Sequence, residues 1–162
     1  MFKGNGEKSI LTFTIVVLVF LVITTIIGGW PKAGSSSNSK ATVDAVVAYY
    51  ERMPEDIYKI PEAQLKQLVD LNNKDIYILD IRESKDFAKG HISGAHNSPF
   101  KKVGESLDKL PKDKTIIVYC YTGQTGGQTT AALNIAGFKA RSLNGGMNNG
   151  WLKVSYPVVA GN

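Results

Sequence analysis

Two short apolar runs constrain this chain more than anything else in it. Ile76-Tyr-Ile-Leu-Asp-Ile81 and Thr115-Ile-Ile-Val-Tyr119 are nearly continuous in apolar side chains, without the alternation of a half-solvated strand. Each predicts a strand buried on both faces, and such strands belong to sheets covered by helices on two sides. Helical segments lie between them. Pro61 opens one, with Leu65, Leu68, Val69 and Leu71 as its apolar stripe. Ser84 to Lys89 is a short one stopped by Gly90, and Ser106 to Leu110 another stopped by Pro111. Thr129 to Ala136 ends at Gly137, a C-terminal stop. Ile57 to Ile60 reads as an edge strand and Ala140 to Leu143 as a further strand. Gly145-Gly146 turns the chain into a last short helix ending near Trp151. A leading helix over Ala41 to Arg52 carries Val43, Val46, Val47 and Tyr50 at helical spacing and stops at Met53-Pro54. Strands alternating with helices imply an α/β domain, a doubly wound parallel sheet of about five strands flanked by helices.

In such sheets ligands sit outside the carboxyl ends of the strands. At one such end stands Cys120, the single cysteine. It directly follows Thr115–Tyr119 and opens the loop Cys120-Tyr-Thr-Gly-Gln-Thr-Gly126, which runs into the next helix. Gly123, Gly126 and Gly127 let the backbone curl so that successive N–H groups converge as an anion nest, to which the helix start adds its positive end. The same field favours a thiolate over a thiol. The loop therefore suits a sulfur nucleophile with an anionic substrate or product. A lone cysteine is often no more than a small packing residue, but the glycine-rich setting at a central strand end favours chemistry here. One cysteine also excludes an internal disulfide framework and a cysteine-built zinc site.

These segments, taken together, resemble a rhodanese domain. The resemblance rests on Leu79-Asp-Ile-Arg82, on Gly90-His-Ile-Ser-Gly-Ala95 with Asn97 and Pro99, on Ile117-Val-Tyr-Cys120 and on Ala136-Gly-Phe138. Leu143-Asn-Gly-Gly-Met147 with Trp151, and Tyr156-Pro-Val158, complete it in the family's order. It covers residues 57–159 and implies a sulfurtransferase. Cys120 would take a sulfane sulfur from thiosulfate or a persulfide donor, hold it as a persulfide, and pass it to a thiol or cyanide. Tyr121, Thr122, Gly123, Gln124, Thr125 and Gly126 would form the substrate-binding loop. No metal or organic cofactor is implied, and the partners would be a small sulfur compound and a thiol acceptor or partner protein. Rhodanese loops commonly carry a basic residue after the cysteine; here no Arg or Lys lies between Cys120 and Lys139. That departure favours a persulfide donor over thiosulfate and leaves anion binding to the backbone, hydroxyls and amide, or to a base from elsewhere. Phosphatases of similar fold close a Cys-x5-Arg loop, which this sequence lacks. Two other readings use the same residue: a non-catalytic persulfide carrier or binding module, and a thiol redox sensor.

Other polar residues have plainer roles. Asp80 and Arg82 can shape the pocket, although a buried structural pair is the simpler reading. His91 and His96 lack the clustered acids or cysteine of a metal site. Asn148 and Asn149 suit capping, and Trp151 suits the core. The net charge of +5 comes from scattered lysines, without the clustered stripe of a nucleic-acid binder.

Before this domain, Ile10 to Ile27 holds fourteen apolar residues and four threonines, with no charge from Ser9 to Trp30. As a helix, residues 10–30 would span about 30 Å, the depth of a bilayer's hydrocarbon core. The segment reads as an uncleaved transmembrane anchor in preference to the alternative, a cleaved signal peptide, since the small residues of a signal cleavage site are missing. A short tail, 1–9, before a first apolar helix stays in the cytoplasm, which places the large domain on the extracytoplasmic side. Residues 31–40, with Gly34-Ser-Ser-Ser-Asn-Ser39, read as a flexible linker. The organisation expected is thus tail 1–9, anchor 10–30, linker 31–40, leading helix 41–56 and rhodanese-like domain 57–162.

Overall fold

The computed structural model describes residues 36–161. The tail 1–9, the anchor 10–30 and the start of the linker lie outside the described residues, so the expected membrane anchor does too. Among the described residues no helix is long and apolar enough to cross a membrane. The chain divides into two compact units at Thr42/Val43, and the second, Val43–Asn162, carries the sheet.

The elements in chain order are helix α1 (Ser36–Glu51), strand β1 (Lys59–Ile60), α2 (Glu62–Asp70), β2 (Ile76–Asp80), α3 (Ser84–Lys89) and β3 (Ala95–Asn97). A 3₁₀ segment (Phe100–Lys109), β4 (Thr115–Tyr119), α4 (Gln124–Ile135), β5 (Lys139–Leu143) and a π-helical turn (Gly146–Trp151) follow. All strand pairs are parallel, in the order β1-β5-β4-β2-β3. The two apolar runs are the adjacent strands β2 and β4, with Ile78 opposite Ile117 and Asp80 opposite Tyr119.

Strand alternation sorts the core into two layers. One face gathers Leu79, Ile81, Val118 and Cys120 with Leu133 of α4 and Phe138. The other gathers Ile78, Ile117, Tyr119 and Leu143 with Leu65 of α2, Met147 and Trp151. Burying each large aliphatic side chain is worth about 1.5–3 kcal/mol, so both layers hold the sheet.

Several boundaries differ from the sequence reading. α1 begins at Ser36, inside the segment read as linker, and Val43, Val47 and Tyr50 on it are exposed while Val46 and Tyr49 are half-buried. β1 is shorter than 57–60, because Ile57 and Tyr58 take positive φ (48° and 57°) in a turn. Leu71 lies at the exposed C-cap of α2 and not in its buried stripe. β3 went unrecognised: Ala-His-Asn has no strand-forming pattern, and its pairing with β2 holds it extended. The helix expected over 106–110 is a 3₁₀ segment starting at Phe100, directly after Pro99. α4 starts at Gln124, ahead of the expected Thr129, so the second half of the cysteine loop is the first turn of a helix.

Candidate functional site

β4 lies between β2 and β5, so the residue after it emerges at the middle of the sheet's carboxyl edge. That residue is Cys120, free and only 2% exposed. The chain then turns through Gly123, whose φ of 94° suits glycine, into α4. The π-helical turn braces this loop from outside. Met147 N–H donates to the Cys120 carbonyl at 2.8 Å, and Asn148 N–H to the Tyr121 carbonyl at 2.8 Å. Gly146 makes that approach possible, since a Cβ there would stand 2.6 Å from the Cys120 carbonyl oxygen and 2.7 Å from Gly123 N.

With its carbonyls engaged outside, the loop turns N–H groups toward the sulfur. Gly123 N–H donates to Cys120 Sγ at 3.1 Å. Burial pushes the thiol up. The Thr125 hydroxyl and the N–H groups of Gly126, Thr122 and Gly123 act the other way and prevail, holding it below its ordinary value. The structure therefore offers a desolvated sulfur in a cradle that favours its anion.

The loop residues divide in their tasks. Thr122, Gly123, Thr125 and Gly126 surround the sulfur. Tyr121 turns away: its hydroxyl donates to Asp86 Oδ2 at 2.7 Å and accepts from Glu83 N–H at 3.2 Å, tying the loop to α3. Gln124 opens α4 with an exposed side chain.

Asp80 and Arg82 stand at the end of neighbouring β2, where the Arg82 guanidinium lies 5.4 Å from the ring centroid of Tyr119 and 6.0 Å from that of Tyr121 in the cysteine loop. Asp80 belongs to the Ile78 side of the strand, and Cys120 packs in the Leu79 layer. Arg82 Nη2 donates to Asp80 Oδ2 at 2.6 Å and Nε at 3.0 Å, while Nη2 also reaches the Gly90 carbonyl at 2.8 Å. Both side chains are buried. Burial and the Asp80 carboxylate push the Tyr119 phenol far above its ordinary value, so it remains neutral, accepting from Ile92 N–H at 3.2 Å. His91 stacks on Phe87 at 3.7 Å and His96 on Tyr77 at 4.4 Å; both pack rather than face the thiol. Trp151 is core, its indole N–H donating to the Pro157 carbonyl at 2.9 Å.

A cavity of about 450 Å³ adjoins the cysteine loop. Thr122 and Gly123 line it together with Lys59, Thr130 and Ser142. Lys59 and Thr130 were not singled out by the sequence. Neither sits in a motif, and only the pairing of β1 with β5 brings the first of them near the loop. The bracing N–H groups of Met147 and Asn148 were equally invisible, because a backbone contact leaves no trace in side-chain identity.

A family model described as "Rhodanese-like domain" matches residues 62–153. The chain is 35% identical over 101 residues to a probable adenylyltransferase/sulfurtransferase, MoeZ, of Mycobacterium tuberculosis, a match covering 60% of this chain and 25% of that protein. The chain thus spans about a quarter of that relative's length. It is 29% identical over 92 residues to a putative sulfurtransferase, YtwF, of Bacillus subtilis, covering 57% of this chain and 88% of the relative. A crystal structure of a rhodanese-related protein from Thermoplasma volcanium superposes with a TM-score of 0.57 at 28% identity, covering 62% of this chain and 96% of the other.

Proposed function

This chain belongs to the rhodanese-like domain family, and from that premise we propose that it is a sulfurtransferase working through a persulfide on Cys120. The observation that carries the proposal is the ring of donors about Cys120 Sγ, the Thr125 hydroxyl and the N–H groups of Gly126, Thr122 and Gly123, the last at 3.1 Å. In the first half-reaction the Cys120 thiolate attacks the outer sulfur of a donor R–S–SH. The donor's S–S bond breaks as the new one forms, RS⁻ leaves and takes a proton from water, and Cys120 carries –S–SH. In the second half-reaction an acceptor thiolate attacks that outer sulfur and the Cys120 thiolate departs. Each step exchanges one S–S bond for another, so no electron carrier is needed. The cradle serves twice, stabilising the attacking thiolate and then the same thiolate as leaving group.

The donor we favour is a persulfide. Thiosulfate is a dianion, and no Arg or Lys lies in the loop to receive it. The same gap supports a second reading, a carrier that loads sulfur and delivers it to a docked protein without free turnover. Full-length protein treated with a persulfide, thiosulfate or polysulfide tests both by intact mass. A gain of one sulfur, reversed by reductant and absent in Cys120→Ser, is the expected result. Turnover with cyanide or a small thiol separates enzyme from carrier. No loading from any donor, with ready oxidation of Cys120 to a sulfenic acid by peroxide, would refute sulfur transfer. The uncharged run over residues 10–30 supports anchoring in a membrane, and the short tail 1–9 before it supports an extracytoplasmic domain. Digestion of the domain by protease added to intact cells is the outcome that reading requires.

A further inference from the structure

The cavity beside the cysteine loop has features that sulfur transfer from an inorganic donor leaves unused. Its volume, about 450 Å³, suits an organic molecule and far exceeds thiosulfate. Tyr49, Met53, Ile57 and Leu143 give it apolar wall. Lys59 is its one charged residue; no acid lines it, and the Lys59 ammonium has no ion-pair partner among the described residues. Asp56 is occupied elsewhere, by the Arg141 guanidinium. Thr130 also lines the cavity. It is 2% exposed, and its hydroxyl, itself buried, has no hydrogen-bond partner among the described residues. Gly123 belongs to both places, lining the cavity while its N–H holds the sulfur.

We propose that this cavity holds the organic body of the sulfur donor, a small carboxylate-bearing persulfide of amino-acid to tripeptide size. Lys59 receives its carboxylate, the Thr130 hydroxyl bonds a polar group of its chain, and the persulfide extends past Gly123 to Cys120. The proposal rests on the sulfur-transfer reading and supplies the base that the loop itself lacks. Sulfur passes as above: the donor's S–S bond breaks, the Cys120–sulfur bond forms, and the carboxylate-bearing thiolate remains in the cavity before release.

The test uses the full-length chain in detergent, with glutathione persulfide and the diethyl ester of the same persulfide as probes. Lys59→Gln should slow loading of Cys120 by the free acid about fivefold at donor concentrations below saturation and leave loading by the ester within about twofold. Thr130→Val, close in shape, should slow both about threefold. Inorganic polysulfide, too small to use the cavity, should load all variants at the rate of the unaltered chain, which also reports that they fold. Equal losses with acid and ester in Lys59→Gln, or no loss with either, would overturn the proposal. A separate arm needs no sulfur transfer: S-methylglutathione should bind the unaltered chain and bind Lys59→Gln more weakly, and indifference to the substitution would overturn the proposal. Failure of every donor to load Cys120 would instead remove the sulfur-transfer reading, with the binding arm still deciding the cavity.

Discussion

β2 and β4 are neighbours, and Asp80 closing the one and Cys120 directly following the other stand at the same edge of the sheet, yet the two ends do opposite things. At the end of β2 the Asp80 carboxylate spends its capacity inside the protein, on the Arg82 guanidinium and the Arg82 N–H at 2.8 Å. Arg82 in turn reaches the Gly90 carbonyl. At the end of β4 Cys120 receives several donors and gives nothing back except a sulfur better able to carry charge. Position in the fold nominates both ends as sites; the local accounts distinguish them. A charged pair whose partners are all internal braces the structure, while donors gathered on a nucleophile that needs none of them for packing are a device for reaction.

The contrast is broken most directly at its two centres. Cys120→Ser should abolish sulfur loading and alkylation completely while costing about 1 kcal/mol or less of stability, as urea denaturation and intact mass would show. Arg82→Met should do the reverse. It leaves the Asp80 carboxylate buried without its partner, a loss of about 3–5 kcal/mol, and the molecules still folded should load Cys120 at the normal rate. The double variant Asp80→Leu/Arg82→Met should recover much of that stability. A large fall in loading per folded molecule in Arg82→Met would show that the pair shapes the site after all.

The division between these ends was only half legible in the sequence. β2 and β4 announce themselves because Ile76–Asp80 and Thr115–Tyr119 must be covered on both faces, and Cys120 follows from where β4 stops. The fold class follows from the alternation of strands with helices, and the observed sheet has five parallel strands. What escaped depends on contacts remote in sequence. β3 is a strand because β2 offers it a ladder. Gln124 to Gln128 is helical despite Gly126 and Gly127, poor helix formers, and the residues just before it, Cys120 and Tyr121, are bonded to the π-helical turn. Lys59 and Thr130 meet at one cavity only once β1 has paired with β5 and α4 has crossed back over the sheet.

The brace on the loop gives the next sharpening. Gly146→Ala would set a Cβ 2.6 Å from the Cys120 carbonyl oxygen, at a φ of 60° that L residues rarely adopt. The turn has to withdraw, costing about 1–3 kcal/mol, and the Met147 and Asn148 N–H groups release the loop carbonyls. Unlike either earlier variant it should damage stability and loading together. Thermal melting and the loading time course on the same sample would show whether the two losses travel as one.

The finest test separates the donors from the scaffold. Thr125→Val keeps the shape of the side chain and removes the hydroxyl that, after burial, weighs most on the Cys120 thiol. Stability should fall by about 0.5–1.5 kcal/mol, the worth of one ordinary hydrogen bond. The sign of the pH effect is fixed by the charge involved. The hydroxyl stabilises the thiolate, so losing it raises the thiol's pKa and moves the rise of alkylation with iodoacetamide to higher pH. Arg82→Met, which removes none of those donors, should leave that profile where it was. If both variants moved the profile alike, the sulfur's acidity would come from the charge distribution of the whole sheet edge; if only Thr125→Val does, it comes from the few donors that touch it.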